Sequence, residues 1–304
     1  QARSDVTYRC GSPHLRGTIT AAAHALSYTP SAVSQQLSLL EKEAGAPLLQ
    51  KVGRGVLLTS AAEELVRHAD EILAILERAE AGLAASDTQV RGTLRLAAFA
   101  SISLTTIPRV IAALNHQHPA LDIRFRQVEP EQGLSLLSSR RIDALVVDSY
   151  PGTSEAVPDS LHADLLTHDP IRAYLPGATP SAKLEELKHV KWILEPSGSE
   201  AHAWVRRVCR ERGFEPDVAY ESANLLFHLR MVTEGLAAAF LPDLLIQHEG
   251  ADLKPSALPG TPQHRTISLV CRAGAEQRPA IEACRDTLAA HLDTNGSLSK
   301  IKHS

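Results

Sequence analysis

Thr29-Pro30-Ser31-Ala32-Val33-Ser34-Gln35-Gln36-Leu37-Ser38-Leu39-Leu40 is the stretch on which the fold turns. Pro30 suits the first position of a helix, where its missing N–H would go unpaired anyway, and Thr29 is placed to cap it. Val33, Leu37 and Leu40 recur at i, i+4 and i+7, so a helix from Pro30 to about Ala44 buries one stripe. Its opposite face carries Ser31, Ser34, Gln35 and Ser38. Upstream, Ile19 to Leu26 reads as a second short helix, rich in the strong helix former alanine. Ser27-Tyr28-Thr29-Pro30 separates the two. Two short helices joined by so tight a turn make a helix-turn-helix.

Working outward, Pro47 to Thr59 gives two apolar strands around Gly53-Arg54-Gly55, a hairpin with an arginine at its tip. Thr59 or Ser60 then caps a long helix, Ala61 to about Ser86. Its seam of Leu65, Ala69, Ile72, Ile75/Leu76, Ala79 and Leu83 needs a partner helix, and its acids are expected on the other face. Asp87 to Gly92 is a polar hinge. From Thr93 the period changes. Strands at Leu94–Ala98, Leu121–Val128 and Asp143–Asp148 alternate with helices at Leu104–His118 and Glu131–Arg141, which implies a parallel sheet wrapped by helices. The pattern restarts with strand Val190–Leu194, helix Ser199–Arg212, strand Asp217–Glu221, helix Asn224–Glu234 and strand Leu236–Phe240. Two similar α/β halves suggest a cleft between them. A last strand, Thr266–Cys271, and helix, Gln277–Leu292, close the sheets, and the tail from Asn295 reads as loose.

The chain has 304 residues, 44% hydrophobic and 22% charged, enough to bury real cores and against disorder. No apolar run reaches the ~18 residues of a membrane span, and Gln1 to Arg16 holds no signal-like apolar stretch. Four scattered cysteines without a CxxC pair suit free thiols in the cytoplasm. Net charge is −4, but it is unevenly spread: +3 over residues 1–59, −4 over 60–92 and −3 over 93–304. Only the first segment sits against phosphates without repulsion. The fourteen histidines show no metal-ligand spacing, and no GxSxG or GxGxxG occurs, so neither a metal, a cofactor nor an enzyme is expected.

The chain resembles the LysR-type transcriptional regulators. The resemblance rests on Gly17-Thr18-Ile19-Thr20-Ala21-Ala22-Ala23, Ala25-Leu26, Thr29 to Leu37, Leu40-Glu41, Gly45-Ala46-Pro47-Leu48-Leu49 and Leu58-Thr59-Ser60-Ala61-Ala62. It continues more weakly at Val232 to Pro242, where Ala237 replaces a family glycine. It implies an α plus α/β architecture: a winged helix-turn-helix (1–59), a dimerisation helix and hinge (60–92), and a two-subdomain, periplasmic-binding-protein-like effector domain (93–304). It also implies double-stranded DNA, a small-molecule effector and a second copy as partners, the assembly being a homodimer or homotetramer. The short polar side chains Thr29, Pro30, Ser31, Ser34, Gln35 and Gln36 are the expected groove and phosphate contacts, and Gln35 and Gln36 suit the adenine edge. Arg54 on the wing reaches a neighbouring phosphate or minor groove.

Ser101 and Ile102 follow a strand's carboxyl end, where open α/β sheets bind ligands, and Ser197 and Ser199 hold the matching place in the second half. In the family a hydroxyl at the position of Ser101 often contacts the effector. Glu129 and Asp148, just after the next two strands, would hold an amino group. The expected effector is therefore a small carboxylate or an amino acid. One departure stands out: the family has an amphipathic helix before Gly17, whereas Gln1–Arg16 carries Gly11 and Pro13 and no stripe. Two other readings follow: a sensor whose DNA-binding domain is defective, or a cytoplasmic binding protein or enzyme that uses only the α/β cleft.

Overall fold

The computed structural model describes residues 28–52, 55–86, 89–152, 157–176, 187, 189–256 and 263–301, with the backbone alone at 55 and 294–301. The helix expected at Ile19–Leu26, the departure at Gln1–Arg16 and the wing-tip Arg54 lie outside the described residues. Helix α1 spans Pro30–Ala44, capped by Thr29, whose hydroxyl accepts from the Ala32 N–H, and ended by Gly45 at φ 67°. Strands β1 (Leu49–Val52) and β2 (Gly55–Leu58) pair antiparallel as the wing. Glu41 ties wing to helix, its Oε1 accepting from the N–H groups of Leu48 (2.9 Å) and Leu49 (3.1 Å). Helix α2 (Ser60–Ala85) is capped by Thr59. Its seam residues Ile72, Ile75, Leu76 and Leu83 are exposed in the single chain.

The first α/β half contains β3 (Gly92–Ala98), α3 (Ala100–Thr105), α4 (Ile107–Gln117), β4 (Leu121–Gln127), α5 (Pro130–Ser138) and β5 (Ala144–Ser149). β3, β4 and β5 are parallel, with β3 in the middle. The single helix expected at Leu104–His118 is two helices. Thr106 leaves helical geometry (φ −122°), because Pro108 has no N–H and its ring excludes a helical carbonyl one turn back.

The second part runs β6 (Leu161–Tyr174), β7 (Lys191–Leu194), α6 (Glu200–Glu211), β8 (Asp217–Glu221), α7 (Leu225–Thr233), β9 (Ala239–Pro242), α8 (Asp243–Glu249), β10 (Gln263–Arg272) and α9 (Pro279–Ile301). β6 and α8 have no counterpart in the sequence reading. His162, Asp164, His168, Asp169 and Pro170 blur the alternation that would betray a strand. α9 continues through Asn295, where a loose tail is expected. The halves are not two separate sheets. One six-stranded sheet has the order β4-β3-β5-β10-β6-β9, and β10 runs antiparallel to both β5 and β6. β7 and β8 are parallel, and a bridge from Trp192 to Ala238 sets β7 beside the chain entering β9. β6 spans about 45 Å at ~3.3 Å per residue, so it and β10 thread both halves.

Separate cores lie on the sheet faces. Leu94, Leu96, Val110, Leu114, Ile267 and Leu288 make one. The second half packs Ala201, Trp204, Val205 and Val208, one stripe of α6, on Trp192 and Phe214. Each large apolar side chain so buried contributes roughly 1.5–3 kcal/mol.

Candidate functional site

In α1 the buried and free faces separate cleanly. Val33 (1% exposed) and Leu37 (4%) pack inward beside Leu48, while Pro30, Ser31, Ser34 and Gln35 are exposed and Gln36 is half-exposed. The Thr29 hydroxyl is engaged in the cap, 3.2 Å from the Ala32 N–H and 3.1 Å from Ser31 Oγ. A row of hydroxyl and amide groups on an outward helix face beside a hairpin has the chemistry to meet base edges and phosphates.

Helix α2 docks on the α/β part through a face opposite to expectation. Glu77, expected among solvated acids, is 1% exposed. Arg272 Nε donates to its Oε1 at 2.6 Å and Arg140 Nη1 stands 2.9 Å from the same oxygen, with Arg278 4.0 Å from Oε2. Asp143 extends the network: it accepts from Arg95 at 2.9 Å and lies 3.6 Å from Arg272. Gly274, at φ 90°, lets the chain lie so close to α2 that a Cβ there would collide with the Ala74 carbonyl oxygen.

At the carboxyl ends of the strands a charged cluster joins the halves. Arg265 of β10, 1% exposed, donates from Nη1 to Asp148 (3.1 Å) and from Nε and Nη2 to Asp169 (2.9 and 2.8 Å). Its guanidinium lies 5.2 Å over the Phe99 ring. Burial raises the Asp148 and Asp169 carboxyls, with Arg265 pulling both the other way. Glu195, directly after β7, is pushed up to about 7 by burial and then by Asp148, with Arg265 opposing and Glu129 adding. Glu129, the N-cap residue of α5, is raised by partial burial and by Asp148. Beside this cluster a cleft open to solvent encloses about 380 Å³ and is walled by Tyr150, Ile193, Glu195, Trp204, His228 and Phe240, among others.

Of the expected effector residues, Glu129 and Asp148 meet in this cluster. Ser101 is 6% exposed and its Oγ has no hydrogen-bond partner. Ile102 is fully buried in the first core, so its side chain fills that core and does not line the cleft. Ser199 caps α6, its hydroxyl accepting from the His202 N–H at 3.1 Å, and Ser197 is exposed. Glu195, Arg265, Asp169, Tyr150 and Trp204 escape the sequence reading. Glu195 is within its reach, since it follows a strand end just as Glu129 and Asp148 do. Cys209, Cys271 and Cys284 are buried and pushed up to about 12 by that burial, so they stay protonated at neutral pH. Among the described residues, no helix is long and apolar enough to cross a membrane.

Residues 15–63 match the bacterial regulatory helix-turn-helix family of lysR type, and residues 87–293 match the LysR substrate binding domain. The chain is 28% identical over 274 residues to the HTH-type transcriptional regulator CfxR of Cupriavidus necator, covering 89% of this chain and 86% of that one. Its fold is similar to a full-length OxyR variant of Pseudomonas aeruginosa (TM-score 0.60, 20% identity, 94% of this chain and 92% of that one). It is also similar to full-length CbnR complexed with its target DNA (TM-score 0.51, 20% identity, 95% and 99%).

Proposed function

Because the chain belongs to the LysR family of DNA-binding transcriptional regulators, whose members are not enzymes, we propose that it couples a small-molecule effector in the cleft between its α/β halves to its grip on double-stranded DNA. The carrying observation is the outward serine and glutamine face of α1 above a buried Val33–Leu37 stripe. In this reading Ser31, Ser34, Gln35 and Gln36 enter the major groove, Arg54 holds the flanking backbone, and a homodimer or homotetramer assembles through the exposed seam of α2. The effector, a small carboxylate or amino acid, lies among Ser101, Glu129, Asp148 and the Ser197–Ser199 turn.

Coupling then has a physical route. β10 has Arg265 in the cleft cluster and Arg272 on Glu77, and α5 begins at Glu129 and leads to Arg140, also on Glu77. A change in the angle of the halves therefore reaches the helix that carries the DNA-binding domain. A gel shift of the full chain on the DNA upstream of its own gene at about 50 mM salt, where phosphate contacts are strong, tests the DNA arm. A retarded band is expected, and unaltered mobility with folded protein refutes it. Leu83→Asp tests the seam: Leu83 is 77% exposed in the single chain, so the substitution lowers the assembly's mass in light scattering if the seam is an interface and leaves it unchanged if not.

A further inference from the structure

We infer that the effector carries a protonated amine on a small apolar body, held with its ammonium group against the carboxylates of Glu195, Asp148 and Glu129 and its body against Trp204, Phe240 and Tyr150. The inference rests on the proposed effector cleft and narrows what enters it.

The argument is one of charge. Among the described residues, Glu195 from the end of β7, Asp148 from β5, Glu129 from the start of α5 and Asp169 from β6 face a single buried cation, Arg265. Arg265 is already committed to Asp148 and Asp169 on two sides. The histidines nearby are engaged elsewhere. His228 on the cleft wall is lowered by burial and donates from Nε2 to the Ser222 carbonyl at 2.6 Å, and His202 meets the Glu195 carbonyl through Nδ1 at 2.8 Å. An anionic ligand entering here meets an excess of like charge, whereas a cation relieves it. The remaining wall is apolar and aromatic, with Trp204 and Phe240 in edge contact at 5.3 Å and Tyr150 5.4 Å from Trp204. A ring face beside carboxylates suits an ammonium group bearing an aliphatic body. A second observation points to an occupant. Trp204 is 1% exposed on this wall and its indole Nε1 has no hydrogen-bond partner, so an acceptor on the ligand completes it.

Glu195 is half-protonated near neutral pH in the empty protein, because burial, Asp148 and Glu129 outweigh Arg265. A cation binds its ionised form, so binding expels the proton and affinity follows the ionised fraction. That fraction rises about tenfold between pH 6 and pH 8 for a group near 7.

The test is calorimetric titration of the full chain with three probes that share an isobutyl body: 3-methylbutylamine, leucine and 4-methylpentanoate. Both amines are expected to bind at least ~10-fold more tightly than the carboxylate. The affinity of 3-methylbutylamine is expected to rise about tenfold from pH 6 to pH 8, a rise that Glu195→Gln abolishes. Tighter binding of 4-methylpentanoate, lost in Trp204→Ala, overturns the amine and leaves the cleft as the effector site. Amine binding that neither Glu195→Gln nor Trp204→Ala weakens overturns both. Failure of both amines to bind at millimolar concentration also overturns the inference.

Discussion

Glu77→Ala should loosen the protein at the joint between α2 and the α/β part. The substitution removes a 1%-exposed carboxylate and leaves Arg272 and Arg140, formerly 2.6 and 2.9 Å away, with an unmatched charge. Stripping one partner from a buried ion pair costs about 3–5 kcal/mol. The lower end applies here, because Arg272 keeps the carbonyls of Ile142 (2.8 Å) and Leu137 (3.2 Å) and has Asp143 at 3.6 Å. At about 2–4 °C per kcal/mol for a domain of this size, melting should fall by roughly 6–12 °C. Thermal unfolding of the full chain, followed by circular dichroism, reads it. Glu80→Ala, three residues along the same helix but exposed, is the control and should stay within about 0.5 kcal/mol. If Glu77→Ala and Glu80→Ala melt together, the buried cluster does not fasten α2 and the route from cleft to DNA drawn through it fails.

Gln35→Ala with Gln36→Ala should leave the melting temperature unchanged, since neither side chain is buried, yet lose about 1–3 kcal/mol of discrimination per base contact in competition gel shifts. Equal preference for cognate and random DNA before and after substitution would remove α1 from readout. Glu195→Gln should match the parent in urea unfolding at pH 4 and exceed it by up to about 3 kcal/mol at pH 8. Folded Glu195 titrates near 7, above its ordinary value, so between the two it keeps a proton that the unfolded chain has released, and the parent loses stability as pH rises through that window. Identical curves at pH 8 contradict the buried acid. Gly274→Ala places a methyl against the Ala74 carbonyl at a φ that only glycine adopts easily, costing about 1–3 kcal/mol and speeding amide exchange in the middle of α2. Unchanged exchange there would mean the close approach is not maintained.

The helix of Pro30–Ala44, the wing and the long helix are legible in the sequence because each obeys one local rule: a cap, a hairpin, a stripe. The parallel strands of the first half are legible for the same reason. Glu77 is not, because sequence spacing places it one turn from solvated acids, and only the arrival of Arg272 and Arg140 from distant segments makes burial tolerable. Arg265 is hidden likewise. A lone arginine opening an apolar strand reads as an edge residue until Asp148 and Asp169 appear on either side. In the cleft, the serines after β7 carry the sequence signal, yet Ser199 is a helix cap, while the nearby Glu195 has the environment of a ligand group.

The placement of β10 between β5 and β6 has a consequence for biosynthesis. β5 ends at Ser149, and its neighbour begins at Gln263. At ~5–20 residues per second, the ribosome leaves that edge without its partner strand for roughly 6–25 seconds while the intervening ~115 residues emerge. An apolar strand bare for so long invites aggregation, so the nascent polypeptide should depend on a holdase, and truncations ending before Gln263 should accumulate as inclusion bodies rather than as a half-size sensor.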